Sequence, residues 1–189
     1  MKYSEKKGRL ATFLKNRSEV PLTLRNEVTL SEVLYLLGDI EADATEYYTR
    51  LAEFTDLPWV RDFALKLAGA EEQHRRSFLD FACKVESKEG GENNCLKEPL
   101  SEELLNLFSE RITLSSSGVE KTAAYIGEKD AIELAIVAEI KTVKLLSQLQ
   151  GYLPEEQQCC INRIVNEEKQ HQSFLESLYR KHFPEQKKD

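Results

Sequence analysis

Two glutamate–histidine pairs are the residues best suited to chemistry. In "LAGAEEQHRRSFLDF", residues 67–81, a helical reading aligns Phe63, Leu67, His74, Phe78 and Phe81 on one stripe, and Glu71 falls on it too. The second pair, Glu168 and His171, repeats the spacing on a stripe with Ile161, Ile164, Leu175 and Leu178. The chain has 3 histidines, so two carrying a glutamate three residues earlier is an uncommon arrangement. Glu41 precedes Glu71 by 30 residues and Glu139 precedes Glu168 by 29, each within an apolar stripe of its own. Carboxylates on apolar faces are costly to bury unless they take up protons or bind cations. Positions i and i+3 share a helix face, so each pair can offer one oxygen and one nitrogen to one metal ion. Mixed carboxylate and imidazole ligation suits iron or manganese, and zinc also accepts it.

Four long helical patterns must position these side chains. The first begins at "TLSE", where Thr29 and Glu32 have capping-box spacing, and its stripe runs through Leu34, Leu37, Glu41, Tyr48 and Leu51. "TDLP" breaks it, and Pro58 suits the first turn of a second helix reaching about Lys84. The third is expected from Asp130, which has capping-box spacing to Glu133, with Ile132, Ala135, Ile136, Glu139, Val143, Leu146 and Leu149 as its stripe. The fourth starts at Pro154 and runs to about His182. Residues 86–129 form a long crossover, with a short helix at "SEELLNLFSER" capped by Ser101, a break at "TLSSSG" and another helical piece at "VEKTAAYIGE". Each half is then an αα-hairpin with one glutamate on its first helix and an ExxH on its second. An all-α four-helix bundle of two hairpins follows, spanning 29–183 between a basic arm at 1–28 and a polar tail at 184–189.

Composition narrows the function class. The net charge is -7, which disfavours nucleic acid and anionic membrane surfaces as partners. No apolar run has the length of a membrane span, and Met1 to Arg17 lacks an apolar signal core, so a cytoplasmic location is expected. That segment carries Lys2, Lys6, Lys7, Arg9, Lys15 and Arg17 against Glu5, with Leu10, Phe13 and Leu14 able to pack on the domain. Cys83, Cys95, Cys159 and Cys160 form no CxxC pair and are expected to be reduced thiols.

"IEADATEYY" with "AEEQHRRSF", then "AEIKTVKLL" with "NEEKQHQSF", resembles the ferritin-like di-iron superfamily, in its rubrerythrin-like branch. The resemblance covers roughly residues 30–180. It implies a ferritin-like bundle holding two iron ions, with manganese or zinc possible, on Glu41, Glu71, His74, Glu139, Glu168 and His171. It implies that Glu41 and Glu139 bridge or cap the metals, that Glu71 and His74 serve one, and that Glu168 and His171 serve the other. Tyr48 matches a tyrosine that members keep beside the metals. The implied activity is reduction of hydrogen peroxide or dioxygen, an oxidative-stress chemistry, in a homodimer supplied by a separate electron-donor protein. A ferroxidase for iron sequestration and a di-iron hydroxylase share the ligand pattern. Ile136 stands where rubrerythrins carry an extra glutamate, so the ligand set is the six-residue type shared with bacterioferritin, and Leu146 stands at the second-half counterpart of Tyr48.

Other residues read as structural. Tyr47 and Trp59 are expected to pack, Cys160 to lie in the core, and His182 to sit at a helix end whose dipole favours it.

Overall fold

A computed structural model describes Leu14 and residues 27–87, 94–116 and 127–184, and it is all-helical over those residues. In chain order the helices are α1 (Leu30–Phe54), α2 (Pro58–Ser87), α3 (Glu102–Ser116), α4 (Glu128–Leu149) and α5 (Glu155–His182), with a 3-10 turn at Gln150–Tyr152 before α5. None of the described helices is long and apolar enough to cross a membrane.

The helix boundaries follow from local chemistry. Thr29 Oγ1 accepts from the Glu32 amide at 3.3 Å, and Glu32 Oε2 accepts from the Thr29 amide at 2.8 Å, closing the expected capping box. Thr55 ends α1, and Arg61 ties that end to α2 by donating to the Ala52 and Thr55 carbonyls at 3.2 and 2.9 Å. Ser101 Oγ accepts from the Leu104 amide at 3.2 Å, as the sequence suggests for the crossover helix. Two expectations are corrected. The third long helix begins at Glu128 with Gly127 as its uncapped start, so Asp130 and Glu133 make no capping box; Asp130 instead joins Glu128 in the first turn, where the dipole favours acids. "TLSSSG" is not a break at its start, because α3 continues through Ser116. Residues 119–126 of the "VEKTAAYIGE" piece, nearly all of the basic arm and the tail after Pro184 lie outside the described residues. Leu14 does pack on the core, and its carbonyl accepts from Ser109 Oγ.

α1 lies along α2 and α4 along α5, while α3 rests on α4 and α1. Gly38 permits the close approach of α1 to α2: a Cβ there would meet Leu79 Cδ2 at 3.1 Å. The apolar interior is divided in two. One cluster contains Leu30 to Ile40, Phe78 to Val85, Leu145 to Leu149 and Ile161 to Val165, joined by residues of α3. The other contains Tyr47 to Ala52, Val60 to Ala68, Ala131 to Ala135 and Leu175. Along all four long helices the gap between clusters holds the candidate residues: Glu41 on α1, Glu71 and His74 on α2, Glu139 on α4, Glu168 and His171 on α5. α1 and α2 cross this polar layer in opposite senses, as do α4 and α5, while α2 and α4 run in the same sense. The connection between α2 and α4 therefore has to return along the molecule, which accounts for its length. Phe78 borders the polar layer and is 1% exposed. Phe78→Ala is expected to lower unfolding stability by about 3–5 kcal/mol in a denaturant melt.

Candidate metal centre

Glu71 and His74 lie one turn apart on α2, and Glu168 and His171 repeat that relation on α5, so the two helices face each other across four ligand-type side chains. One oxygen or nitrogen atom from each of these four residues lies within 4.8 Å of the others. The geometry is crossed. His74 Nδ1 is 3.2 Å from Glu71 Oε2 and 2.7 Å from Glu168 Oε1. His171 Nδ1 is 3.1 Å from Glu71 Oε1 and 3.4 Å from Glu168 Oε2. Each of the two glutamates thus turns one oxygen to each imidazole. The rings stack at 5.5 Å between centroids. Glu71 and Glu168 hold the central positions between the two imidazoles.

Glu41 and Glu139 flank this group. They line a cavity of about 30 Å³ together with Glu71, Tyr48, Arg111 and Thr142. Tyr48 donates a hydrogen bond to Glu139 Oε1, so the tyrosine that the resemblance singles out does meet a candidate ligand. The four glutamates are each at most 4% exposed.

The electrostatics show groups competing for too little positive charge. Burial raises the Glu41 and Glu139 carboxyls well above the usual range, and the charges of Glu168 and Glu71 raise both further. Burial would also raise Glu168, but its contacts with His171, His74 and Glu139 outweigh that and hold it low. Burial works against charge on the imidazoles; even so, Glu168 and Glu71 push His74 up to about 12 and His171 to about 9. Each of these upward shifts lessens the net negative charge of the layer.

Several polar atoms of the layer stay unpaired. Glu41 Oε1, Glu71 Oε1, both Glu168 oxygens and His171 Nδ1 are buried with no aligned hydrogen-bond partner. Glu168 Oε1 lies 2.7 Å from His74 Nδ1 without hydrogen-bond alignment. Buried polar atoms are nearly always paired, and unpaired oxygens and nitrogens converging in one place fit a bound cation. The residues present therefore fit a metal ion of the kind that takes mixed oxygen and nitrogen ligands.

Sequence reasoning missed three participants. Glu167 places Oε2 2.8 Å from His74 Nε2 and reaches toward Arg163. It fixes the outer face of the imidazole and leaves Nδ1 pointing inward. A partner of this kind orients a metal-binding histidine, and Glu167→Ala is expected to weaken metal affinity about 10–100-fold by competition titration. Arg111 on α3 is buried and donates from Nε to Thr142 Oγ1 at 2.9 Å, and its charge acts on Glu41. Its signal was present, because Leu104, Phe108 and Arg111 follow one helical stripe. Thr142, not Val143, is the fully buried residue on that turn of α4, because it receives Arg111.

The remaining expectations divide. Tyr47 is structural, donating to the Ala131 carbonyl at 2.7 Å, and Trp59 stacks on His182 at 3.8 Å. Cys160 is exposed, not core, because the first turns of α5 turn it outward along with Cys159.

Fold and site together define an all-helical protein with a buried Glu–His–Glu–His group that could hold a metal ion. No family model, curated protein or solved structure matches the chain.

Proposed function

We propose that this chain is a non-haem di-iron or di-manganese oxidoreductase of the rubrerythrin-like type, built as a ferritin-like four-helix bundle of two αα-hairpins with a long crossover. It reduces hydrogen peroxide or dioxygen and draws electrons from a separate donor protein. The observation that carries the reading is the crossed arrangement, in which Glu71 and Glu168 each present one oxygen to each of His74 and His171. Glu71, His74, Glu168 and His171, with Glu41 and Glu139 beside them, would hold the two cations.

Two bound divalent ions would supply Lewis acidity and two reducing equivalents toward an O–O bond. The chain's own residues supply the setting. The apolar clusters on both sides of the layer limit water, so charges inside it act at low dielectric. Tyr48 holds Glu139 in one orientation through its hydroxyl. Arg111, fixed by Thr142, places a permanent positive charge at the cavity wall beside Glu41.

Cavity size favours a small oxidant. About 30 Å³ has room for roughly two water-sized groups, which suits peroxide or dioxygen and not an organic substrate of a hydroxylase. The test is metal analysis of protein produced in iron-rich medium, followed by the rate at which the reduced, loaded protein is oxidised by peroxide and by air. Rapid oxidation by peroxide in a dimer-sized particle is expected. A very large hollow assembly that accumulates iron would replace this reading with sequestration, and a chain that binds no iron or manganese would end it.

A further inference from the structure

Another cavity lies apart from the polar layer. It occupies about 410 Å³ between α2 and α5, with Ser77, Asp80 and Lys84 on one side and Cys159, Cys160 and Arg163 on the other. Cys159 and Cys160 are consecutive in α5, both exposed and both thiols, and their sulfurs are 4.0 Å apart. Neighbouring helical residues point about 100° apart, so two sulfurs at this distance have converged on one region.

A disulfide does not suit the pair. Adjacent Cα atoms are about 3.8 Å apart, below the usual disulfide range, and closing the ring would break the helix. A third atom between the sulfurs meets no such obstacle. With sulfur–centre bonds of about 2.3 Å, a 4.0 Å separation corresponds to an angle of about 120° at the centre, close to the trigonal or tetrahedral value. The backbone need not move.

The surroundings set when the sulfurs are available. Burial and Cys159 raise the Cys160 thiol above its ordinary value, and Arg163 and Lys84 pull it back down. A soft acid that forms two sulfur bonds displaces the thiol protons while the two cations offset the thiolate charge.

We infer that Cys159 and Cys160 form a second ligand site, a vicinal dithiol that chelates one soft thiophilic centre, either a trivalent organoarsenical or a soft divalent cation. With an arsine oxide the step is a condensation: two S–H bonds and the As=O bond are replaced by two As–S bonds, both protons leave with the oxygen as water, and nothing is oxidised or reduced. With a cation, two protons are released to solvent as two metal–sulfur bonds form.

The experiment uses the full chain and two probes, phenylarsine oxide read by intact mass and cadmium ion read by the ultraviolet thiolate charge-transfer band, which carboxylate and imidazole ligands do not produce. One phenylarsenic adduct per chain with loss of water, or one thiolate-bound cadmium, is the expected result, and which probe binds separates the metalloid from the cation. Peptide mapping should place the protected thiols at Cys159 and Cys160. Cys159→Ser and Cys160→Ser should each weaken binding by roughly 100-fold or more, the loss of a two-point attachment. Cys83→Ser and Cys95→Ser should leave it unchanged. Failure of both probes to bind, protection mapped to Cys83 or Cys95, or full affinity in either single serine variant would overturn the inference.

Discussion

Replacing Glu71 and Glu168 together by alanine should reduce bound metal from about two ions per chain to near zero, measured by elemental analysis after desalting. These two side chains hold the central positions, and each has an oxygen within 3.5 Å of each imidazole nitrogen that faces inward (3.2 and 3.1 Å for Glu71, 2.7 and 3.4 Å for Glu168). Removing them takes away the carboxylates between the two imidazoles. His74 and His171 would remain on opposite helices with no group linking them, and Glu41 and Glu139 would be left beside the cavity. The same change relieves carboxylate crowding, since Glu71 and Glu168 are the charges that raise Glu41 and Glu139 after burial. The variant should therefore stay helical by circular dichroism while losing its metal. The pair Glu71→Gln and Glu168→Gln keeps the side-chain shape and removes the charge, so it should lose metal as well. Full metal content in either double variant would sink the assignment of this layer as a dinuclear site.

Stripping both metal ions from the loaded protein with a chelator should lower its melting temperature by roughly 16–32 °C. A ligand present at 1,000 times its dissociation constant stabilises the native state by about 4 kcal/mol per site. For a chain of this size, each kcal/mol moves the melting temperature by about 2–4 °C. The physical source is the set of buried oxygens and the one imidazole nitrogen without aligned partners, which a cation would satisfy at once. Readdition of iron or manganese should restore the higher value, and the Glu71→Ala/Glu168→Ala protein should show no such difference. Equal melting temperatures with and without metal would mean that ions, if bound, attach weakly at the surface.

The layer also defines what Glu72 and Glu167 do. Both stand beside a central glutamate in sequence, and the pattern alone treats them alike. Glu72 turns outward to Arg75 and Arg76, with Oε1 accepting from Arg76 Nε at 2.8 Å. Glu167 instead crosses to α2 and meets His74 Nε2. A residue's distance from its own helix partner is set by helical period, but its distance from another helix depends on how the two are packed.

That difference separates what was legible in the chain from what was not. The doubled glutamate and ExxH spacing, on apolar stripes, was enough to select Glu41, Glu71, His74, Glu139, Glu168 and His171, because helical period is a local property and a charge on an apolar face is conspicuous. Thr29 with Glu32 and Pro58 marked helix starts for the same local reason. Helix α4 resisted the same reasoning: capping-box spacing at Asp130 is only a pattern, and the helix begins earlier where the backbone after Gly127 turns helical. Cys160 was misplaced because it sits two turns before Glu168 on one stripe, and a stripe has edges that only the neighbouring helix defines. Tertiary packing alone decided that Glu71 and Glu168 share the centre, that Tyr48 pairs with Glu139, and that Arg111 reaches the cavity from the crossover helix. The sequence by itself determined which side chains would have to be buried together; the packing of helices distant in sequence decided which atoms face one another, since contacts over 31 to 93 residues are not encoded in any local period.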